Sequence, residues 1–98
     1  MGVEQGSLIG AWENFSVPLW IRDGFDERRY EELVESLQLC AREWKDRSEL
    51  PRTAVNVLVD IVSAMEATLP LYSGTEAARI TEATYELQAL VWNCVAVA

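Results

Sequence analysis

Apolar residues recur along this chain with helical spacing in three long stretches. In the first, about 27–47, Tyr30, Leu33, Val34, Leu37, Cys40, Ala41 and Trp44 advance in steps of three and one, so they share one face of an α-helix. Asp26 stands where an N-cap belongs, its carboxylate placed to accept from the free N–H groups of the first turn. Phe25 before it and Tyr30 after it predict a hydrophobic staple across the helix start. The opposite face carries Glu31, Glu32 and Glu35, with Leu39 expected to point outward among them.

The second stretch, about 51–69, opens on Pro51, which suits a first helical turn because the missing N–H has no partner to lose there. Ala54, Val55, Leu58, Ile61, Val62, Met65 and Leu69 form its stripe, widened by Val57 and Ala64, leaving a narrow polar strip that holds Asp60. Pro70 ends it and Ser73-Gly74 supplies a turn.

The third stretch, about 75–95, is apolar on two sides. Ala77, Ile80, Ala83, Leu87, Leu90, Val91, Cys94 and Val95 make an ordinary core stripe. Ala78, Tyr85, Ala89 and Trp92 form another almost opposite to it, with a polar row of Arg79, Glu82, Glu86 and Asn93 between. A helix apolar on two faces is normally covered on two sides, so something is expected to shelter the second stripe.

Residues 1–22 are less regular. Leu8, Ile9, Trp12 and Phe15 have helical spacing, although Gly10 weakens a helix by about 1 kcal/mol relative to Ala. Val17-Pro18-Leu19-Trp20-Ile21 reads as an extended apolar arm, since a residue preceding proline avoids the helical region. Trp12, Phe15 and Trp20 are worth on the order of 2–3 kcal/mol each when buried, so the arm is expected to dock, and the second stripe of the last helix is the obvious place. The expected fold is all-α: a single domain over 1–98, with a short helix and apolar arm (1–22) followed by an up-down-up three-helix bundle (23–98).

Composition narrows the function classes. The chain has 98 residues, 16 acidic and 8 basic side chains, no histidine, and a net charge of −8. Half of it is apolar, which excludes an intrinsically disordered chain. The negative charge argues against nucleic acid, which demands basic patches, and against anionic membrane surfaces. No apolar run approaches the roughly 18 residues that span a bilayer. The opening Met1-Gly2-Val3-Glu4-Gln5-Gly6 lacks the basic and apolar regions of a secretory leader, and Gly6 occupies a position where a myristoylation signal needs Ser or Thr. The expected location is the cytoplasm. Seven arginines to one lysine is compatible with a GC-rich bacterial coding sequence.

The absence of histidine removes the commonest general base and the usual catalytic triads. The five glycines fall in no phosphate-binding pattern. Glu27, Glu31 and Glu35 are spaced by four but lie on an outward face, unlike the inward carboxylates of di-metal bundles. Cys40 and Cys94 match no metal spacing and are expected as buried free thiols, a Cys40–Cys94 bridge being the alternative. Arg79 is expected to pair with Glu82 or Glu86. No catalytic residue, cofactor or metal is nominated.

Three functional readings follow. The first is a non-catalytic interaction module that pairs with a second copy of itself through Trp12, Trp20, Ala78, Tyr85, Ala89 and Trp92. The second is an acidic, inhibitor-type binder of a basic protein, with Glu31, Glu32, Glu35 and Leu39 as the contact patch. The third is a small-ligand binder whose pocket is lined by Trp12, Trp20, Tyr30, Trp44, Tyr72, Tyr85 and Trp92.

Overall fold

The computed structural model describes the backbone of residues 3–44 and 52–95, and side chains within 8–44 and 55–95. These residues form α1 (Val3–Trp20), α2 (Glu27–Glu43), α3 (Arg52–Thr68), a 3-10 turn (Leu69–Leu71) and α4 (Gly74–Val95). There is no strand among them, and the fold is all-α.

Helix α2 starts as its sequence dictates. Asp26 has an extended backbone and accepts from the Arg29 N–H at 3.1 Å, while the Phe25 and Tyr30 rings meet at 5.2 Å. Tyr30, Leu33, Leu37, Cys40 and Trp44 are buried. Trp44 caps the helix, donating its N–H to Cys40, so α2 closes earlier than expected; the end of the expected helix, 45–47, lies outside the described residues, as does Pro51 at the expected start of α3. In α3, Leu58, Ile61, Met65 and Thr68 face the core; Asp60 is exposed, as its place in the polar strip predicts, and so is Glu66. The stretch after Thr68 tightens into the 3-10 turn, with Pro70 inside it.

The N-terminal segment corrects the sequence reading. Instead of a short helix and an extended arm, residues 3–20 make one helix that continues through Pro18. The proline sits in the final turn, where few intrahelical bonds remain to be lost. The bond it cannot make would have gone to the Asn14 carbonyl, and Arg29 Nη1 donates there instead, at 3.1 Å. Phe15 and Leu19, one turn apart on either side of Pro18, are both buried, and keeping them on one face holds the helical course. Beyond Trp20 the chain closes with Asp23 N–H on the Pro18 carbonyl and Arg22 N–H on the Leu19 carbonyl. This is the paired bonding of a Schellman cap, with Arg22 at φ +63° in the left-handed position usually held by glycine.

Helix α1 packs against α2 and α3, and α4 packs against the same two helices, so α1 and α4 lie across the bundle from each other. Phe15 meets Tyr30 near the end of α1 and the start of α2, while Gly10 and Ala11, earlier in α1, share a groove with Ser36 and Leu39, later in α2, so the two helices run antiparallel. The pairs Glu27–Arg79, Tyr30–Glu86 and Leu37–Cys94 advance together along both chains. Helices α2 and α4 are therefore parallel, consistent with up-down-up alternation of α2, α3 and α4. The bundle has four helices, not three and an arm.

Tyr72 fastens one end. Its hydroxyl donates to the Leu19 carbonyl at 2.8 Å and accepts from the Gly24 N–H at 3.2 Å, tying the α1–α2 turn to the α3–α4 connection. Gly24 has φ +105°, a backbone conformation that residues with a side chain rarely adopt, so glycine suits this turn. Cys40 and Cys94 are buried free thiols, and Cys94 Sγ donates to the Leu37 carbonyl at 3.3 Å. No described helix is long and apolar enough to cross a membrane.

Candidate functional site

Helix α4 has two apolar sides with different fates. Ile80, Ala83, Leu87 and Cys94 are buried, because that stripe faces α2 and α3. The opposite stripe is bare: Ala78 and Ala89 are exposed, and Tyr85 and Trp92 keep 69% and 65% of their surface. The expectation that the N-terminal segment covers this stripe is wrong. The buried residues of α1 (Leu8, Phe15 and Leu19) sit in a core shared with α2 and α3, across the bundle from α4's outer face. Their apolar surface is satisfied there, and α1 has no reason to cross over.

Thr81 and Gln88 lie beside the bare stripe and are also exposed. The strip formed by Ala78, Thr81, Tyr85, Gln88, Ala89 and Trp92 therefore carries no charged side chain, on a molecule of net charge −8. Its border toward α2 is acidic but partly neutralised. Arg79 Nε and Nη2 bind both oxygens of Glu27, at 2.7 and 3.0 Å, and Nη1 reaches Glu82 at 2.8 Å and Glu86 at 3.9 Å. The guanidinium lies 4.8 Å from the centre of the Phe25 ring and 5.0 Å from that of Tyr30, a cation–π arrangement. Tyr30 donates its hydroxyl proton to Glu86 at 2.5 Å.

These contacts set the local ionisation. The hydrogen bond from Arg79, aided by its charge, holds Glu27 below the ordinary glutamate range. Burial, and then the Glu86 hydrogen bond, pushes the Tyr30 hydroxyl well above its ordinary value, so it stays protonated. Arg79 is held more firmly protonated still by Glu27. The expected pairing of Arg79 with Glu82 and Glu86 is present, and the structure adds Glu27, 52 residues away, as a bidentate partner that the sequence reading did not name.

Between α2 and α4 runs an open groove of about 590 Å³, with Val34, Ala89 and Leu90 along it and Glu27, Glu31, Glu35 and Glu86 around it. Glu31 borders this groove, Glu32 and Leu39 border a second groove on the α1 side of α2 with Gly10, Ala11 and Asn14, and Glu35 lies between the two and borders both. The four residues of the acidic patch thus do not form one surface. Leu39 is half-buried, not outward-pointing, because α1 runs alongside it.

The remaining sequence-nominated aromatics do not converge. Trp12 is half-buried, 6.3 Å from the Phe15 ring, while Trp20 is 46% exposed beside Val17 and Ile21 at the end of α1. Trp44 is buried, Tyr72 is engaged at the bundle end, and Tyr85 and Trp92 point away from the core. Of these seven, only Tyr30 borders the α2–α4 groove, so the aromatic-lined pocket expected between helices is not formed by them. Comparison with protein-family models, curated proteins and solved structures returns no match to this chain.

Proposed function

We propose that this protein is a non-catalytic helical interaction module that associates with a second copy of itself through the outer face of α4. One observation carries the reading: Tyr85 and Trp92, two large rings seven residues apart on one helix, keep 69% and 65% of their surface, with none of the described helices over them. Isolated exposed apolar side chains need no explanation, but two aromatic rings aligned on one exposed face match the aromatic enrichment of interface cores. The strip itself is uncharged, and the carboxylates at its border, Glu82 and Glu86, are held near Arg79, which lowers the repulsion that a second acidic copy would meet there.

Sedimentation velocity over a concentration series tests this. The wild type is expected to shift from monomer to dimer, and Trp92→Glu to shift only at concentrations roughly 30-fold higher or not at all, since losing an aromatic anchor costs about 2 kcal/mol or more. A wild type that stays monomeric at the highest concentration refutes the reading.

The groove between α2 and α4 favours a second, separate reading, a contact for a basic protein. Glu31 and Glu35 flank a floor with Val34 and Leu90, beside Glu27 and Glu86, which Arg79 and Tyr30 already engage; the two outer carboxylates suit lysine or arginine side chains whose stems lie on apolar surface. The expected outcome is a basic partner held by the wild type at low salt, released at high salt, and not held by Glu31→Lys/Glu35→Lys; binding indifferent to both changes refutes it.

A further inference from the structure

The outer face of α4 has an internal symmetry that its role as a docking surface does not require. Ala78, Tyr85 and Trp92 are spaced by seven and seven, so Tyr85 lies midway between a small residue and a large one. Thr81 and Ala89 are likewise four residues to either side of Tyr85. All five are exposed. Seven residues are close to two helical turns, so the three main positions stay nearly in line along the helix.

This inference rests on the self-association proposed above and concerns its geometry. The geometry points to a dimer in which two α4 helices cross antiparallel about a two-fold axis at Tyr85. Under that operation Tyr85 meets its own copy, and Trp92 of each protomer lies over Ala78 of the other. Thr81 comes opposite Ala89. Each indole then fills space that an alanine leaves open, and the side-chain bulk between the helices varies less along the contact than in a parallel pair, with the paired Tyr85 rings as the widest point at the crossing. A parallel pair in register would place Trp92 against Trp92 at one end and Ala78 against Ala78 at the other. The helices would be wedged apart at the tryptophans and leave a gap at the alanines. A two-fold contact is also self-complementary by construction, with every pair occurring twice, and the large–small exchange about Tyr85 is what that symmetry demands of a single helix.

The rest of the surface agrees with this occupant. The strip is uncharged, while the outward residues of α2 include Glu31, Glu32 and Glu35, which would repel a second acidic copy. Helix α1 lies on the far side of the bundle from α4, so none of the described helices competes for the seam.

Disulfide trapping in the full chain separates the arrangements while leaving Tyr85 and Trp92 in place. The double variant Thr81→Cys/Ala89→Cys is oxidised with copper–phenanthroline, and covalent dimer is read on a non-reducing gel. Each single variant and the wild type, whose Cys40 and Cys94 are buried, are treated alongside. Sedimentation of the reduced proteins establishes their association state. Antiparallel pairing brings position 81 of one protomer beside 89 of the other, so the double variant is expected to crosslink. The singles are expected not to, because equivalent positions four residues from the axis lie about 12 Å apart along the helices at 1.5 Å per residue, beyond the reach of a disulfide. Crosslinking of the singles means parallel helices and overturns the inference. A sedimenting dimer that crosslinks in none of the variants also overturns it, while leaving self-association standing. A wild type that is monomeric at every concentration overturns both.

Discussion

Arg29 donates to the Asn14 carbonyl, the helical acceptor that Pro18 has no N–H to reach. A side chain from α2 thereby completes the backbone bonding of α1, and the two helices are joined where α1 would otherwise be weakest. Arg29→Ala is expected to destabilise the protein by about 0.5–1.5 kcal/mol, the net value of one such bond. In a Pro18→Ala background, where the backbone supplies its own donor, the same change should cost less. A double-mutant cycle by urea unfolding measures the coupling; strictly additive effects would show that the guanidinium does not stand in for the missing N–H.

The turn that follows α1 carries its own cost. Arg22 holds φ +63°, a region where a side chain is disfavoured by roughly 1–2 kcal/mol. Arg22→Gly is expected to raise stability by about 0.5–1 kcal/mol, the strain relieved exceeding the entropy glycine adds to the unfolded chain. Thermal unfolding checks the sign, and Arg22→Ala, which keeps a Cβ, should not reproduce the gain.

Glu27 links α2 to α4 through Arg79, and its carboxyl titrates below the ordinary glutamate range in the folded protein. A group whose pKa is depressed by folding adds stability that is complete above its unfolded pKa and is lost as the pH falls through its folded one. Glu27→Gln is therefore expected to be less stable than the wild type at pH 7, with the gap closing as the pH drops through and below the glutamate range. Urea midpoints of both proteins at pH 7 and pH 3 provide the comparison, and a gap that stays constant would count against the Arg79 contact as its source.

The thiols should be silent. Cys40 and Cys94 are buried, and burial pushes the Cys94 thiol up to about 11, which leaves little of the reactive thiolate at neutral pH. Ellman's reagent at pH 7.5 is expected to find neither thiol in the folded protein and both in urea. Rapid native labelling would mean that the α2–α4 seam opens readily.

The helical content, the start of α2 at Asp26 with its Phe25–Tyr30 staple, the inward faces of α2, α3 and α4, the buried thiols and the second stripe on α4 were all legible in the residues, since each depends on spacing within a few turns or on a local cap. Three things were not. Pro18 argued for an extended arm, and only the burial of Phe15 and Leu19 against neighbouring helices, with Arg29 as a substitute donor, reversed a local preference. Arg79's partnership with Glu27 joins positions 52 residues apart, which no helical wheel relates. The fate of the second stripe was decided by packing order as well. Periodicity marks Tyr85 and Trp92 as apolar but cannot say what covers them, and the placement of α1 across the bundle leaves them facing outward. Local chemistry determined the elements and their faces, because hydrogen bonding and capping act over a few residues; the choice of neighbours fell to tertiary structure, because burial is shared among all the helices at once.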